Sequence, residues 1–222
     1  MKSARRDSRT RILDAARRTF AARGYTGAGV DHIARLARVN KAMIYYHFAS
    51  KQTLYRTVLQ ELFTALADHL RAVLDRPDPP AVRLDRLIAA IAAFVQERPY
   101  FPRIMLREIA EGGTRLDQET LRLMSALPQV TAAIIAQGRT DGTFRDVHPL
   151  LTYFSVMGPI VMFLGSAPIR EQFAQRLLVP GAGVDPDAFI GHLQEFVQRG
   201  VAAGAAARAA SAAAPPRRRT TV

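Results

Sequence analysis

Apolar residues recur at spacings of three and four along most of the chain, which is typical of amphipathic helices. The first pattern covers residues 9–24 and is followed by two short ones, Val30–Ala37 and Lys41–Phe48, and by a long one that starts at Lys51. Later patterns cover residues 84–95, 104–109, 116–137 with a break expected at Pro128, 150–165 and 186–201. No stretch alternates with a period of two between hairpin turns, so we predict an all-α fold.

The pattern divides the chain into four regions. Residues 1–8 are expected to form a flexible basic arm, and residues 9–50 hold the three helices of a small N-terminal domain. Residues 51–201 hold the remaining helices, which are enough for a larger helical domain with its own core. Residues 202–222 are rich in alanine and arginine, and we expect a disordered tail that is either solvated or in non-specific contact with DNA.

The stretch from Val30 to Lys51 has the form of a helix-turn-helix unit. Such a unit braces one helix on another so that the second fits the major groove of DNA. Asn40 is a good N-cap for the second helix, and Ile44 and Phe48 fall on its inner side. The side chains predicted to contact DNA are Arg38, Asn40, Lys41, Ala42, Met43, Tyr45, Tyr46, His47 and Lys51. The alternative is a three-helix unit that only packs or binds protein.

The chemistry of these side chains assigns them different tasks. Lys41 can donate to guanine, and Ala42 and Met43 can make apolar contact with a thymine methyl group. Tyr46 can reach a base edge or a phosphate. Phosphate contacts are expected from Tyr45, His47 and Lys51.

The net charge of +12 is concentrated at the two ends of the chain. Residues 1–60 hold 13 Lys and Arg against 3 Asp and Glu, a net charge of +10, whereas residues 61–200 hold 14 against 16, a net charge of −2. Residues 201–222 add 4 arginines. A basic segment on a near-neutral body suggests a surface that faces a polyanion such as DNA. A solvated basic face without a partner is the alternative.

Other classes of protein find less support. The chain has no cysteine and no apolar leader, so a disulfide framework is excluded and a cytoplasmic protein is expected. Its 5 histidines are scattered and no catalytic motif is present, so we predict no enzyme, no cofactor and no metal site. Residues 147–169 carry no formal charge, yet prolines and glycines interrupt them, so a helix buried between protein surfaces is favoured over a membrane span.

Three motifs occur in order in the first quarter of the chain: Arg9-x-x-Ile12-Leu13-x-Ala15-Ala16-x-x-x-Phe20-x-x-x-Gly24-Tyr25, Val30-x-x-Ile33-Ala34, and Val39-Asn40-Lys41-Ala42-Met43-Ile44-Tyr45-x-His47-Phe48-x-Ser50-Lys51-x-x-Leu54. With them the chain resembles the tetracycline-repressor (TetR) family of transcription regulators. The resemblance implies an Ω-shaped, all-α homodimer whose N-terminal domain binds operator DNA. The larger domain would hold a ligand pocket and dimerise through its last two main helices.

Two positions depart from the pattern of that family. Gly29 stands where Ser or Thr often caps the second helix and contacts a phosphate. Arg38 stands in the turn where glycine is common, so we expect either an unusual backbone at Arg38 or a shifted turn. An arginine at this position can also add a phosphate contact of its own.

The larger domain carries the expectations about control. Phenylalanine and methionine adapt to apolar ligands, so a cavity for a small, largely apolar effector is predicted, with ordinary core packing as the alternative. The residues expected to line it are Phe63, Phe94, Phe101, Met105, Leu106, Met124, Phe154 and Met157. The interface between two copies is expected at Leu151, Phe154, Met162, Phe189, Leu193 and Phe196. A surface cluster of salt bridges is expected from Arg103, Arg107, Glu108 and Glu111.

These expectations describe a repressor that a ligand controls. In a dimer, the two helices that read DNA, Lys41–Phe48 of each copy, would meet successive major grooves about 34–36 Å apart, so the operator should be near-palindromic. An effector in the larger domain would tilt the long helix that begins at Lys51 and so change the spacing of the two reading helices.

Overall fold

The computed structural model describes residues 2–176, 179, 181 and 183–204. These residues are mainly helical, and their only β-structure is one isolated bridge between Phe144 and Ala202. The prediction of an all-α fold is therefore confirmed. The helices of the described residues are α1 Lys2–Gly27, α2 Val30–Ala37, α3 Lys41–Phe48, α4 Lys51–Leu74, α5 Pro80–Glu97, α6 Tyr100–Ala110, α7 Gln118–Met124, α8 Ala126–Thr140, α9 Pro149–Gly165, α10 Ala167–Gln175 and α11 Pro186–Val201.

The first three helices and the start of α4 form a small N-terminal domain. α1 packs against both α2 and α3, and α3 also packs against α4. Their apolar side chains, among them the buried Phe20, Ile33, Ile44 and Phe48, belong to a hydrophobic core that continues into the later helices. The outer faces of α2 and α3 are therefore left for solvent or for a partner.

The structure differs from the expected N-terminal arm, because α1 begins at Lys2. Residues 2–8 form the first turns of this helix, and the side chain of Ser8 is buried. The expected helix end at Gly24 is a kink: Gly24 has a φ of 69° and a ψ of 178°, a conformation that favours glycine, and helical residues continue to Gly27.

In the larger domain, residues 51–201, which we call the body, two features differ from the predicted helices. The helix expected over residues 116–137 is divided at Ser125 and not at Pro128. Pro128 lies in the first turn of α8, where a backbone N–H has no partner inside the helix and its loss is tolerated. The sequence does not predict α10, because its only large apolar side chains, Ile169 and Phe173, are both exposed and give no strong apolar face.

The start of the expected tail is held against the body. The backbone N–H of Arg145 donates to the carbonyl of Val201 at 2.9 Å, and the N–H of Ala203 donates to the carbonyl of Thr143 at 3.0 Å. Phe144 lies between Thr143 and Arg145 in the loop. Its ring packs over Gly138 so closely that a Cβ atom at Gly138 would lie 2.0 Å from the ring. The rest of the tail, residues 205–222, lies outside the described residues.

The body is built on α4 and on a layer of later helices. α4 packs against α3 near its start and against α5, α7 and α8 elsewhere, while α5, α8, α9 and α11 pack on one another. Within the described residues no single helix is long and apolar enough to cross a bilayer, and α9 and α10 pass that test only as a pair with a 55° bend between them.

Candidate functional site

The reading unit, which consists of α2, the turn at residues 38–40 and α3, presents one accessible face. The side chain of Asn40 accepts a hydrogen bond from the N–H of Met43 at 2.9 Å, so Asn40 caps α3. Ile44 is buried on the inner side, and the opposite side leaves Tyr46 with 61% of its surface exposed. The residues that are exposed or partly exposed along α3 are Lys41, Ala42, Met43, Tyr45, Tyr46 and His47.

Lys41, the first residue of α3, has a partner within the chain. Its Nζ atom donates to the carboxylate of Asp31 in the first turn of α2 at 3.0 Å, and both side chains are exposed. This hydrogen bond and the negative charge of Asp31 raise the pKa of Lys41. Sequence analysis missed Asp31, because the pair depends on how two helices approach each other. A base contact by Lys41 therefore competes with Asp31 for the three N–H donors of its ammonium group.

Several basic side chains lie on or beside α2. The guanidinium of Arg35 lies 2.7 Å from Nδ1 of His32. Partial desolvation and the charges of Arg23 and Arg35 lower the pKa of His32. Arg38, which ends α2, is exposed and adopts the left-handed conformation with a φ of 54° and a ψ of 47°, so the unusual backbone is found and not a shifted turn. Gly29 precedes α2 without a side-chain cap.

The packing of α3 on α1 fixes the angle of the reading helix. Nε2 of His47 lies 3.0 Å from the hydroxyl oxygen of Ser8 on α1. The guanidinium carbon of Arg9 lies 5.6 Å from the centre of the Phe48 ring. The ring of Tyr46 meets the ring of His47 nearly edge-on, with centres 5.3 Å apart. His47, expected at a phosphate, is therefore also a link between α1 and α3.

Lys51, the first residue of α4, lies at the junction of the two domains. Its Nζ atom lies 3.4 Å from the carbonyl oxygen of Thr26 and 4.6 Å from the centre of the Tyr25 ring. The guanidinium of Arg115, from the body, lies over the same ring at 4.6 Å. Partial burial and the charge of Arg115 lower the pKa of Lys51. A phosphate contact by Lys51 therefore competes with contacts inside the chain.

An apolar cavity of about 210 Å³ lies in the body. Its lining consists of Phe63, Leu66, Phe101, Met105, Leu106, Ile109, Met124, Leu127, Tyr153, Phe154, Met157, Gly158, Val161 and Met162. Of the residues that the sequence suggests for a cavity, Phe94 is the exception: it is buried behind Phe101, whose ring meets it edge-on at 5.5 Å. Tyr153, which sequence analysis missed, has the only polar side chain among the described lining residues, and burial raises its pKa.

An apolar stripe runs along the outside of α9. We define the stripe as Leu151, Phe154, Gly158 and Met162, which follow one another at spacings of three and four. Leu151, Phe154 and Met162 are 65%, 59% and 59% exposed, and Phe196 on α11 is 64% exposed. These are the predicted interface residues that a second copy can reach.

Two other residues expected at the interface have partners within the chain. Leu193 is buried in the core, because α11 turns this side chain toward the body, so the prediction that it contacts a second copy is wrong for this structure. Phe189 is partly buried and stacks on Phe163 of α9, with ring centres 3.9 Å apart and an interplanar angle of 4°. Both residues join α11 to the rest of the chain.

Helix α6 connects the cavity with the N-terminal domain. Glu108 is buried and accepts a hydrogen bond from the hydroxyl of Tyr55 on α4 at 2.5 Å, so the expected surface cluster of salt bridges is wrong for this residue. Burial and this hydrogen bond raise the pKa of Tyr55. Arg107 donates to the carbonyl of Ala22 on α1 at 3.3 Å. The same helix contributes to the cavity lining Met105, Leu106 and Ile109.

The sequence matches known proteins over most of its length. Residues 12–58 match the family described as bacterial regulatory proteins, tetR family. The chain is 34% identical to the HTH-type transcriptional repressor NicS of Pseudomonas putida over 142 residues, which cover 63% of this chain and 66% of that protein. It is 33% identical to the HTH-type transcriptional repressor SCO4008 of Streptomyces coelicolor over 193 residues, which cover 86% of this chain and 94% of that protein.

The fold is also found among solved structures. The transcriptional regulator FadR from Bacillus subtilis, solved in complex with stearoyl-CoA, superposes with a TM-score of 0.71 over 86% of this chain and 98% of that chain. The two sequences are 17% identical, so this likeness concerns the fold alone.

Proposed function

The chain belongs to the tetR family of bacterial regulatory proteins and is a DNA-binding transcriptional regulator, not an enzyme, and from this premise we propose that it is a repressor that a small apolar effector releases from a near-palindromic operator. The observation that carries the proposal is the accessible face of α3, whose inner side is buried and whose outer side offers hydrogen-bonding groups. The net charge of +10 on residues 1–60 also supports DNA binding, because DNA is a polyanion.

The side chains of the reading unit divide by task. Lys41 and Tyr46 read base edges, and Ala42 and Met43 contact thymine methyl groups. Arg38 joins the phosphate contacts at the end of α2. The remaining phosphate contacts come from Tyr45, His47 and Lys51. Because Lys51 already lies near Thr26 and Tyr25, it contributes less to affinity than a freely exposed lysine.

The proposed dimer uses the outer faces of α9 and α11. Regulators of this family act as dimers. The stripe on α9 and the neighbouring Phe196 form an uncharged apolar surface, which suits a symmetric contact because identical charges never face each other across it. Two reading helices in such a dimer meet successive major grooves about 34–36 Å apart.

Footprinting on the promoter of its own gene and of neighbouring genes tests the proposal. We expect two protected half-sites of related sequence, with centres about 10 base pairs or a multiple of that distance apart. Protection of a single unpaired site would contradict binding as a dimer. The absence of any sequence-specific protection would contradict regulation of these promoters. Expression from the protected promoter should rise when the gene for this chain is deleted, and a fall would identify an activator.

Control by the effector is proposed to pass through α6. This helix lines the cavity and also contacts α1 through Arg107 and α4 through Glu108. A ligand that shifts α6 therefore changes the support of the N-terminal domain and of α4, on which the spacing of the two reading helices depends.

Removal of one hydroxyl tests this route. Tyr55→Phe leaves Glu108 buried without its hydrogen bond, and we expect operator affinity to change by about fivefold or more although Tyr55 is remote from the outer face of α3. Tyr153→Phe removes a hydroxyl from the cavity wall and is the matched control, which should leave operator affinity of the ligand-free protein unchanged. If both variants and the unmodified protein bind the operator with equal affinity, the hydrogen bond between Tyr55 and Glu108 takes no part in the control of DNA binding.

A further inference from the structure

The cavity is closed toward the core and open toward the outside of α9. On its inner side, Phe63, Phe101 and Leu127 are buried. On its outer side, Phe154 and Met162 are exposed, and so is Ile109 at the end of α6, with 69% of its surface accessible. The wall is therefore incomplete in a single chain.

The open side of the cavity coincides with the stripe on α9. Phe154, Gly158 and Met162 belong to both the cavity lining and the stripe. A Cβ atom added at Gly158 would have no neighbour within 4 Å, so the space beside this lining residue is not filled by the chain. Any surface that covers the stripe also covers the opening.

The chemistry of the stripe identifies what covers it. Residues 147–169 carry no formal charge, and Leu151 of the stripe lines one groove together with the exposed Phe196 of α11. Exposed apolar surfaces of this kind mark contacts between proteins. An uncharged stripe is self-complementary, and it is continuous with the dimer face proposed above, so a second copy of this chain fits it.

The lining also restricts the ligand. None of the described lining residues is charged, and their only polar side chain is that of Tyr153. An ionised group in such surroundings loses its hydration without gaining a partner, which costs several kcal/mol or more. The volume of about 210 Å³ exceeds the roughly 150 Å³ of a cavity that binds benzene.

We propose that a second copy of this chain completes the effector cavity, so that an uncharged, largely apolar molecule of one or two rings binds across the dimer interface. This inference rests on the dimer and the effector of the proposed function. It adds that assembly and ligand binding are linked: a ligand that contacts both copies binds the dimer more tightly than the single chain and stabilises the dimer in return.

A fluorescent probe tests the linkage with the full-length protein. The uncharged two-ring molecule 1-naphthylamine serves as the probe, because its fluorescence emission shifts in apolar surroundings. Titrations at protein concentrations above and below the dissociation constant of the dimer, measured by sedimentation, should show affinity that is weaker by about tenfold or more for the single chain. Saturating probe should also lower the dissociation constant of the dimer.

A substitution on the stripe tests the same point without dilution. Leu151 belongs to the stripe but not to the cavity lining, so Leu151→Glu should yield a folded single chain that binds the probe about tenfold more weakly. Leu121→Glu, on the exposed part of α7, introduces the same charge away from the stripe and should leave both assembly and probe affinity unchanged. Circular dichroism of both variants separates loss of assembly from loss of fold.

The possible results separate the two proposals. If the monomeric Leu151→Glu variant binds the probe as tightly as the dimer does, the proposal of a shared cavity is overturned. The proposal that the unmodified protein is a dimer is not affected by this result. A protein that is monomeric at all concentrations overturns the proposed dimer, and a dimer that binds no probe overturns the ligand class. The anionic analogue of the same ring size, 1-naphthylamine-5-sulfonate, should bind more weakly than the neutral probe, and tighter binding would overturn the requirement for an uncharged ligand.

Discussion

The reading unit and the cavity side of the body arrange apolar and polar groups in opposite ways. In α3 the large apolar residues Ile44 and Phe48 point inward, and the exposed face is mainly polar or charged apart from Ala42, so function lies on the surface of a single chain. In α9 several of the exposed residues are apolar, and the binding groups face a cavity. The first arrangement suits a hydrated, charged partner. The second requires another surface to exclude water, so its function depends on assembly.

The largest expected effect comes from a change inside the body. Phe101 is fully buried and its ring meets those of Phe63 and Phe94 edge-on, at 6.1 and 5.5 Å. Phe101→Ala should lower the free energy of unfolding by about 3–5 kcal/mol, since it removes an aromatic ring and leaves a void. Urea unfolding measures this loss, and a loss below about 1 kcal/mol would show that the cavity wall collapses easily.

A change on the reading face should affect recognition and not stability. Lys41→Ala should alter the free energy of unfolding by less than about 0.5 kcal/mol. Discrimination between the operator and a mutated operator should fall by about 1–3 kcal/mol, because a base contact is lost. Competition binding assays on both DNA sequences measure the difference. An unchanged preference would remove Lys41 from base recognition.

Lys51→Ala is the matched control at the other end of the reading unit. A phosphate contact carries no sequence information, so this variant should weaken binding to all DNA sequences alike and reduce the salt slope by about one. A change in sequence preference, or an unchanged salt slope, would show that Lys51 acts only at the domain junction, beside Tyr25.

Among the described residues, the two non-glycine residues with positive φ allow the effect of backbone strain to be separated from the effect of charge. Arg38 and Ala49 have φ values of 54° and 58°. Glycine at either position should raise the free energy of unfolding by about 0.5–1 kcal/mol, because it adopts this backbone without a steric cost. Only Arg38→Gly should also weaken DNA binding, since Ala49→Gly removes no charge. Thermal unfolding and binding at two salt concentrations measure both effects.

The smallest effect is expected at the start of α2. Gly29 lies before this helix without a side-chain cap, and a Cβ atom there would have no neighbour within 4 Å. Gly29→Ser should stabilise the protein by a few tenths of a kcal/mol, about the difference between serine and glycine caps, and should strengthen DNA binding through a phosphate contact. Gly29→Ala lacks the hydroxyl and should show neither the cap nor the stronger binding.

The reading unit could be predicted from the sequence because its determinants are local. The inward positions of α3 follow from helical spacing, and the cap at Asn40 follows from its side chain and its place before Lys41. The left-handed backbone at Arg38 was one of two alternatives that the turn allowed. The contact of Lys41 with Asp31 could not be predicted, because its geometry depends on the packing of α2 on α3.

The body could be predicted only in part because helical spacing does not tell which apolar side faces a cavity. Phe94 and Phe101 look alike in sequence, yet only Phe101 lines the cavity, with Phe94 behind it. Leu193 has the same character as the interface residues but faces the core. The hydrogen bond between Tyr55 and Glu108 joins residues 53 positions apart, so no local pattern indicates it.

The contact between Lys41 and Asp31 bears on how an operator is found among other sequences. On unrelated DNA, Lys41 gains no base contact in exchange for its carboxylate, and Asp31 repels the nearby phosphates. A chromosome offers on the order of 10⁶–10⁹ competing sites, so the occupancy of the operator depends on the ratio of the two affinities and not on the operator affinity alone. We therefore expect the carboxylate of Asp31 to raise this ratio, because it weakens binding to unrelated DNA more than binding to the operator. Asp31→Ala should therefore bind unrelated DNA more tightly and occupy the operator a smaller share of the time, which competition binding with excess unrelated DNA measures.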